Sequence, residues 1–120
     1  MTEIDKDELS SRLDDGGLAI LDVRSLWEHT GEVGAPCDPR QGRIPGSLHL
    51  ALEELMQLGP EEVRTRLDLP DGAEIAAYCH SGSRSALAVQ ALRAAGYDAR
   101  NYVGSWHEWS RDPSLPAEAG

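Results

Sequence analysis

Short apolar runs alternate with helix-forming segments along this 120-residue chain. The pattern predicts strands at 18–23, 47–50, 74–78 and 99–103, and helices at 5–13, 26–29, 61–67 and 85–95. The first strand is almost continuously apolar, which is typical of a strand buried on both faces of a sheet. Alternating strands and helices favour right-handed crossovers. We therefore predict an α/β fold in three layers, with a mainly parallel sheet of four to five strands and helices on both faces.

Two stretches lack this periodicity. Residues 30–45 are rich in glycine and proline and predict a long loop, a kind of segment that is often functional in a small domain. The tail from Gly104 carries Trp106 and Trp109 and ends in a Pro-rich segment that we expect to be extended. No internal repeat or linker divides the chain, so a single domain is expected.

The net charge of −10 argues against nucleic acid or an anionic membrane as a partner, because phosphate contacts need clustered basic residues. No apolar run is long enough to cross a bilayer, and Met1 is followed by acidic and polar residues rather than a signal peptide. A cytoplasmic location is expected. The two cysteines do not indicate a disulfide framework, and we interpret Cys37 as an incidental loop thiol.

Cys79 is the candidate nucleophile. It follows the predicted strand 74–78, and a small polar segment separates it from the helix predicted at 85–95. A cysteine in this position faces unpaired backbone N–H groups and the positive end of the helix dipole, which favour an anion. We therefore expect a lowered pKa for the Cys79 thiol and a reactive thiolate.

Four blocks of the chain resemble, in order, those of the rhodanese-type sulfurtransferase domain. They are Asp22-Val23-Arg24 with Glu28 following, Arg43-Ile44-Pro45-Gly46-Ser47 (with Gly42-Arg43 where Gly-His is usual), Cys79 to Ser85, and Gly104-Ser105-Trp106-His107-Glu108-Trp109. Thr30-Gly31-Glu32-Val33 and the last block are similar to the catalytic, C-terminal half of tandem-domain thiosulfate and mercaptopyruvate sulfurtransferases. The resemblance covers residues 18–116 and implies that residues 1–120 form one rhodanese domain.

The resemblance also implies a double-displacement reaction that needs no cofactor. Cys79 would take the sulfane sulfur of thiosulfate or a related donor as a persulfide. Cyanide or a thiol acceptor, such as a thioredoxin-like protein, would then remove that sulfur.

The active-site loop that the resemblance implies runs from His80 to Ser85. We expect His80 to face solvent, Gly82 to allow a backbone conformation closed to other residues, and Arg84 to contact the anionic donor. The remaining members, Ser81, Ser83 and Ser85, are expected to hydrogen-bond the loop. The alternative for Ser83 or Ser85 is a plain helix N-cap.

Three further expectations concern residues outside this loop. Arg24, at the end of the first strand, is expected to be a second anion contact, and Trp106 a wall of the sulfur pocket. Asp22 and Glu28 are expected to anchor loops or arginines. We predict no metal site, because His29, His49 and His107 lack ligand spacing with Cys79 or with each other.

The choice of donor rests on the residues after the cysteine. Thiosulfate-using relatives usually carry two basic residues there and mercaptopyruvate users small neutral ones, whereas this chain has His80-Ser81. We favour thiosulfate because Arg84 restores positive charge to the loop.

Two other functions fit parts of the pattern. Related phosphatases and arsenate reductases use Cys-x5-Arg, whereas Cys79 and Arg84 form Cys-x4-Arg, a smaller ring that suits sulfur better than phosphate. The other alternative is a rhodanese-like sulfur-relay or binding module without efficient turnover.

Overall fold

The computed structural model describes residues 2–120, and within them it contains five strands and six helices. The strands are β1 (Glu3–Ile4), β2 (Leu18–Asp22), β3 (Leu48–His49), β4 (Glu74–Tyr78) and β5 (Asp98–Tyr102). The helices are α1 (Lys6–Ser11), α2 (Leu26–Thr30), α3 (Leu52–Leu55), α4 (Pro60–Leu67), α5 (Ser83–Ala94) and α6 (Ser105–Trp109).

The strands form one sheet in the order β1-β5-β4-β2-β3, and every pairing between them is parallel. This confirms the predicted mainly parallel α/β fold. Strands β2 and β4 lie side by side from Leu18 opposite Glu74 to Asp22 opposite Tyr78. Their carboxyl ends therefore meet at one edge of the sheet, the edge where ligands of such folds bind.

Alternate residues of the central strands pack into two cores. Ile75, Ala77 and Cys79 belong to the core that includes buried residues of α3, α4 and α5. Ala76 and Tyr78 belong to the other core, with Leu9 of α1 and both tryptophans of α6. Because side chains alternate between the faces of a strand, these two cores lie on opposite faces of the sheet, as the three-layer prediction requires.

The shortest elements differ from the predictions. Strand β1, which pairs with β5, and the one-turn helix α3 were not predicted. The residues after Gly104 form α6 rather than remaining without an element, because Trp106 and Trp109 are drawn into the core. Helix α5 begins at Ser83, two residues earlier than expected. No helix among residues 2–120 is long and apolar enough to cross a membrane.

The long predicted loop is irregular, as expected, but it is held by arginines. The Arg40 guanidinium donates to main-chain carbonyls at four positions of the C-terminal segment: Trp109, Ser110, Asp112 and Leu115. Arg43 pairs with Glu118 and also donates to the Gly120 carbonyl. The C-terminal segment is thereby packed against the loop.

A buried carboxylate joins this loop to the sheet. The Asp22 side chain, at the end of β2, is completely buried and accepts from Nε and Nη2 of Arg24 at 2.9 and 2.7 Å. It also contacts His29 Nδ1 at 2.9 Å and accepts from the Tyr78 hydroxyl at 3.2 Å. That hydroxyl in turn accepts from the Ile44 amide of the loop at 3.1 Å. Asp22 anchors an arginine, as predicted.

The charge of Asp22 is stabilised by these partners. Burial acts to raise the pKa of Asp22, but hydrogen bonds from His29 and Arg24 outweigh it, so the pKa lies below its ordinary value. Burial raises the pKa of Tyr78, which therefore stays protonated and able to donate. In the folded state the Asp22 carboxylate is therefore ionised and hydrogen-bonded to its partners.

We predict that Asp22→Asn lowers the free energy of unfolding by about 3–5 kcal/mol, because it leaves the Arg24 charge buried without its partner. Urea denaturation at pH 7 measures the effect, with Asp14→Asn, at an exposed aspartate, as the control.

The contribution of Asp22 to stability depends on pH. Since folding lowers the pKa of Asp22, the ionised carboxylate stabilises the fold above the unfolded pKa of about 4, and this stabilisation is lost as the pH falls through the folded pKa. The gap between wild type and Asp22→Asn should therefore narrow in acid. An equal gap at pH 7 and pH 2.5 would contradict this assignment.

Candidate active site

Cys79 lies one residue beyond β4, at the carboxyl edge of the sheet. Its amide donates to Ser105 Oγ at 3.1 Å, and its carbonyl accepts from the Trp106 amide at 2.9 Å. The preceding residue, Tyr78, is held by Asp22 and the loop. Hydrogen bonds of the Cys79 amide, the Cys79 carbonyl and the Tyr78 hydroxyl therefore fix the backbone of the cysteine independently of the contacts of its side chain.

Donors from the loop and from α5 converge on the Cys79 sulfur. Sγ accepts from the Gly82 amide at 3.1 Å and from both the amide and the hydroxyl of Ser85 at 3.4 Å. The Ser105 hydroxyl lies 3.9 Å away. Amides at the first turn of a helix have no intrahelical acceptors, so the sulfur occupies the place of an anion at a helix N-terminus.

These donors determine the ionisation of the thiol. Burial raises the pKa of Cys79, but the hydrogen bonds from Ser85, Gly82 and Ser81 outweigh it, and the net pKa is lowered. The cysteine is fully buried, yet it is not the inert thiol that burial in apolar surroundings would produce. The predicted direction of the shift is thus supported by the contacts around the sulfur.

Gly82 makes this geometry possible. It precedes α5 with a φ of +96°, in the left-handed region that favours glycine. A Cβ at this position would lie 2.6 Å from the Val103 carbonyl oxygen, so any side chain would push the loop away from β5. The expected backbone role of Gly82 is therefore found in the structure.

Ser85 contacts the sulfur rather than capping the helix, so the N-cap alternative is wrong for both serines. The cap of α5 is Gly82, and Ser83 is an exposed residue of the first turn. The Ser85 hydroxyl also donates to Asn101 Oδ1 at 2.6 Å, so its one proton is shared between that oxygen and Sγ, and the Asn101 amide donates to the Gly82 carbonyl at 3.1 Å. Asn101, on β5, therefore holds the loop through hydrogen bonds to Ser85 and Gly82. Sequence reasoning missed it because no local signal links it to Cys79.

Arg84 is half-exposed and forms a two-point ion pair with Glu28 of α2, at 3.1 and 3.4 Å. Glu28 is thus an arginine anchor, as predicted, and it also closes the capping box of α2. Burial acts to lower the pKa of Arg84, but Glu28 chiefly, with a contribution from the Cys79 charge, raises it. Arg84 is therefore electrostatically coupled to the sulfur while its guanidinium is held by a carboxylate.

Two predicted site residues are placed elsewhere. Arg24 is 1 % exposed and its guanidinium is bound to Asp22 and the Gly42 carbonyl, so the prediction of a second anion contact is wrong. Trp106 is completely buried in the core on the opposite face from Cys79, with the Arg24 guanidinium 5.2 Å from its ring centre. The predicted pocket wall is also wrong, because the apolar ring is more stable in the core.

His80, expected to face solvent, is only partly exposed, and its Nε2 atom is buried. Its Nε2 atom lies 2.9 Å from Oδ2 of the buried Asp38, on the long loop. Cys37 and His107 lie beside the same carboxylate, and ligand atoms of all four residues are within 4.8 Å of one another. Spacing along the chain therefore does not exclude a metal site here, because the fold brings together residues that are distant in sequence.

The chain matches the family model described as the rhodanese-like domain over residues 5–112, which is most of its length. The chain belongs to the rhodanese-like domain family. This confirms the resemblance that the four sequence blocks indicated. The rhodanese-like architecture places Cys79 where the strand-to-helix turn surrounds its sulfur with donors.

Curated relatives of this rhodanese-like domain have names that specify different donors. It is 38% identical to a "Probable 3-mercaptopyruvate sulfurtransferase" of Pseudomonas aeruginosa, covering 98% of this chain and 44% of that protein. It is 33% identical to a "Thiosulfate sulfurtransferase" of Azotobacter vinelandii, covering 94% and 44%. A crystal structure of a "Probable Thiosulfate Sulfurtransferase" superposes with a TM-score of 0.83 at 46% identity, covering 98% and 47%. The chain spans less than half the length of each.

We predict that Ser85→Ala raises the pKa of the Cys79 thiol, because the variant removes one of the donors that stabilise the thiolate. The alkylation rate of Cys79 by iodoacetamide at pH 7 should fall severalfold, and the midpoint of its pH profile should move upward. Peptide mapping separates Cys79 from the exposed Cys37. Ser83→Ala, at an exposed position of the same turn, is the matched control. An unchanged midpoint in Ser85→Ala would contradict a role of this hydroxyl in ionisation.

Proposed function

We propose that this domain is a sulfurtransferase in which Cys79 carries the transferred sulfur as a persulfide. The observation that carries the proposal is the hydrogen bonding of Sγ by the Gly82 and Ser85 amides and the Ser85 hydroxyl. This arrangement favours the thiolate, which is the nucleophilic form of a cysteine. Relatives named as sulfurtransferases, which align with nearly the whole chain, support the same chemistry.

In the first step the Cys79 thiolate attacks the outer sulfur of thiosulfate. A bond forms between Sγ and that sulfur, the sulfur–sulfur bond of thiosulfate breaks, and sulfite leaves with the electron pair. The enzyme is then a persulfide anion. The fixed amides contribute because their dipoles are already oriented when charge shifts at the sulfur.

In the second step cyanide or a thiolate attacks the terminal sulfur of the persulfide. The Cys79–sulfur bond breaks, its electron pair returns to Sγ, and thiocyanate or a new persulfide is released. A low thiol pKa helps here as well, because a thiolate of low pKa is the better leaving group. The same donors around Sγ therefore serve both half-reactions.

Arg84 is the residue that we expect to bind the donor on its way to the buried sulfur. Cys79 is fully buried in this structure, so the donor reaches it only after side chains at the loop move. Arg84 is half-exposed, coupled to the sulfur charge and held by Glu28. An incoming sulfonate would compete with the Glu28 carboxylate for the guanidinium. Thiosulfate is our proposed donor because Arg84 gives the active-site loop a positive charge with which the thiosulfate dianion can pair.

The direct test is the mass of the intact protein after exposure to thiosulfate and desalting. We expect a mass increase of one sulfur atom, located on the peptide that contains Cys79 and removed by cyanide with release of thiocyanate. Cys37→Ala should retain the adduct and Cys79→Ala should lose it. No adduct on the wild type, or an adduct that persists in Cys79→Ala, would overturn the proposal. An adduct with poor turnover of cyanide would indicate a sulfur-relay module.

We predict opposite effects on thiosulfate binding for substitutions of the two ion-pair partners. Arg84→Ala should raise the KM for thiosulfate about tenfold, as expected for the loss of one charge-assisted hydrogen bond. Glu28→Gln should lower it, because the guanidinium is released while glutamine retains the helix cap. Steady-state kinetics with thiosulfate and with 3-mercaptopyruvate measure both, and thermal unfolding controls for stability. A rise in KM in both variants would mean that the ion pair itself, rather than the free guanidinium, supports binding.

A further inference from the structure

Four side chains that commonly bind transition metals converge beside the active-site loop. Cys37 and Asp38 come from the long loop, His80 follows Cys79 directly, and His107 lies on α6. One ligand atom from each residue lies within 4.8 Å of all the others. Three separate parts of the chain therefore meet at one point that the sulfur chemistry of Cys79 does not use.

The buried carboxylate of Asp38 is incompletely paired. Its side chain is fully buried, and Oδ1 accepts from Arg111 Nη1 at 2.8 Å. Oδ2 and His80 Nε2 are only 2.9 Å apart, yet they are not aligned for a hydrogen bond, and neither atom has another hydrogen-bond partner within the described chain. Leaving a buried polar atom without a partner is unfavourable, so these two atoms call for an explanation, and a bound ion is one.

The spacing of the four groups suits a tetrahedral ion. His107 Nδ1 lies 3.4 Å from Asp38 Oδ1, and Cys37 Sγ lies 3.9 Å from the same oxygen. Metal–ligand bonds of about 2.0–2.3 Å at tetrahedral angles place neighbouring ligand atoms roughly 3.3–3.8 Å apart. The separations measured from Asp38 are 2.9 Å at Oδ2 and 3.4 and 3.9 Å at Oδ1, and all ligand atoms of the set lie within 4.8 Å of one another, so side-chain adjustments would bring them into that range.

We propose that Cys37, Asp38, His80 and His107 form a binding site for a divalent transition metal of the zinc class. One sulfur, two imidazoles and one carboxylate favour zinc over magnesium or calcium, which prefer oxygen ligands alone. The thiolate and the carboxylate supply two negative charges beside the ion and the Arg111 guanidinium.

Arg111 orients Asp38 and Cys37 and does not compete with the ion for Asp38 Oδ2. It donates to Asp38 Oδ1 and, through Nη2, to the Cys37 carbonyl at 2.6 Å, which leaves Oδ2 free to bind the ion. Hydrogen bonds of this kind to ligand residues are typical of metal sites. Metal binding would join the long loop, the residue after Cys79 and α6 through a single ion. The site does not depend on the proposed sulfurtransferase activity.

The site can be tested with Co²⁺ as a spectroscopic substitute for Zn²⁺, in reduced, metal-free Cys79→Ala protein. This background removes the other thiol and leaves all four proposed ligands in place. We expect one equivalent of Co²⁺ to produce the visible bands of a tetrahedral site and a near-ultraviolet thiolate-to-cobalt band. One equivalent of Zn²⁺ should abolish both and raise the melting temperature. The absence of these bands, or no change in melting temperature with Zn²⁺, would overturn the proposal and favour a simple His80–Asp38 ion pair.

Matched variants identify the ligands. Cys37→Ala, which retains Cys79, should lose the thiolate band. In the Cys79→Ala background, His107→Ala should weaken Co²⁺ binding at least tenfold, whereas His49→Gln, at a histidine outside the cluster, should not. Cys37 and His107 are exposed enough that their substitution should not unfold the chain, and melting temperatures without metal check this. A thiolate band that persists in Cys37→Ala, or unchanged affinity in His107→Ala, would contradict the assignment.

Discussion

The buried ion pair between Asp22 and Arg24 is the interaction on which the carboxyl edge of the sheet depends. Both side chains are almost fully removed from water, and the carboxylate also holds the Tyr78 hydroxyl. Because Tyr78 immediately precedes Cys79 and accepts from the Ile44 amide, one charged group positions β2, β4 and the long loop together. A buried charge is costly unless every lone pair is used, so this edge tolerates few alternative arrangements.

The sulfur site is built on that fixed edge and needs no charged residue in contact with the thiolate. Its donors are amides of the turn and first turn of α5 together with the Ser85 hydroxyl. Main-chain donors cannot turn away, so the stabilisation of negative charge is present before a donor molecule arrives. The charged side chain near the sulfur, Arg84, is instead engaged by Glu28. In the function that we propose, the fixed main-chain dipoles would activate the thiol, and Arg84, once released from Glu28, would bind the donor.

The sequence allowed the sheet, its main helices and Cys79 to be predicted because these depend on local patterns. A buried strand ending on cysteine, a short polar turn and a helix leave little freedom in where the sulfur lies. Predictions were wrong for side chains that had two plausible environments. Arg24 and Trp106 were assigned to the sulfur pocket, and both are buried in the network and core behind it. Asn101 gave no signal, since its contact with Ser85 spans two separate elements.

The sequence by itself therefore determined the α/β class, the family and the position of Cys79 between a strand and a helix, because hydrophobic periodicity and the order of short motifs are properties of neighbouring residues. Only the tertiary structure decided which charges face the sulfur and which are neutralised in the interior. It also brought Cys37 and Asp38 next to His80 and His107, across more than half of the chain. Contacts of that kind depend on how parallel strands and their crossovers fold back to one edge of the sheet, and no spacing along the chain records them.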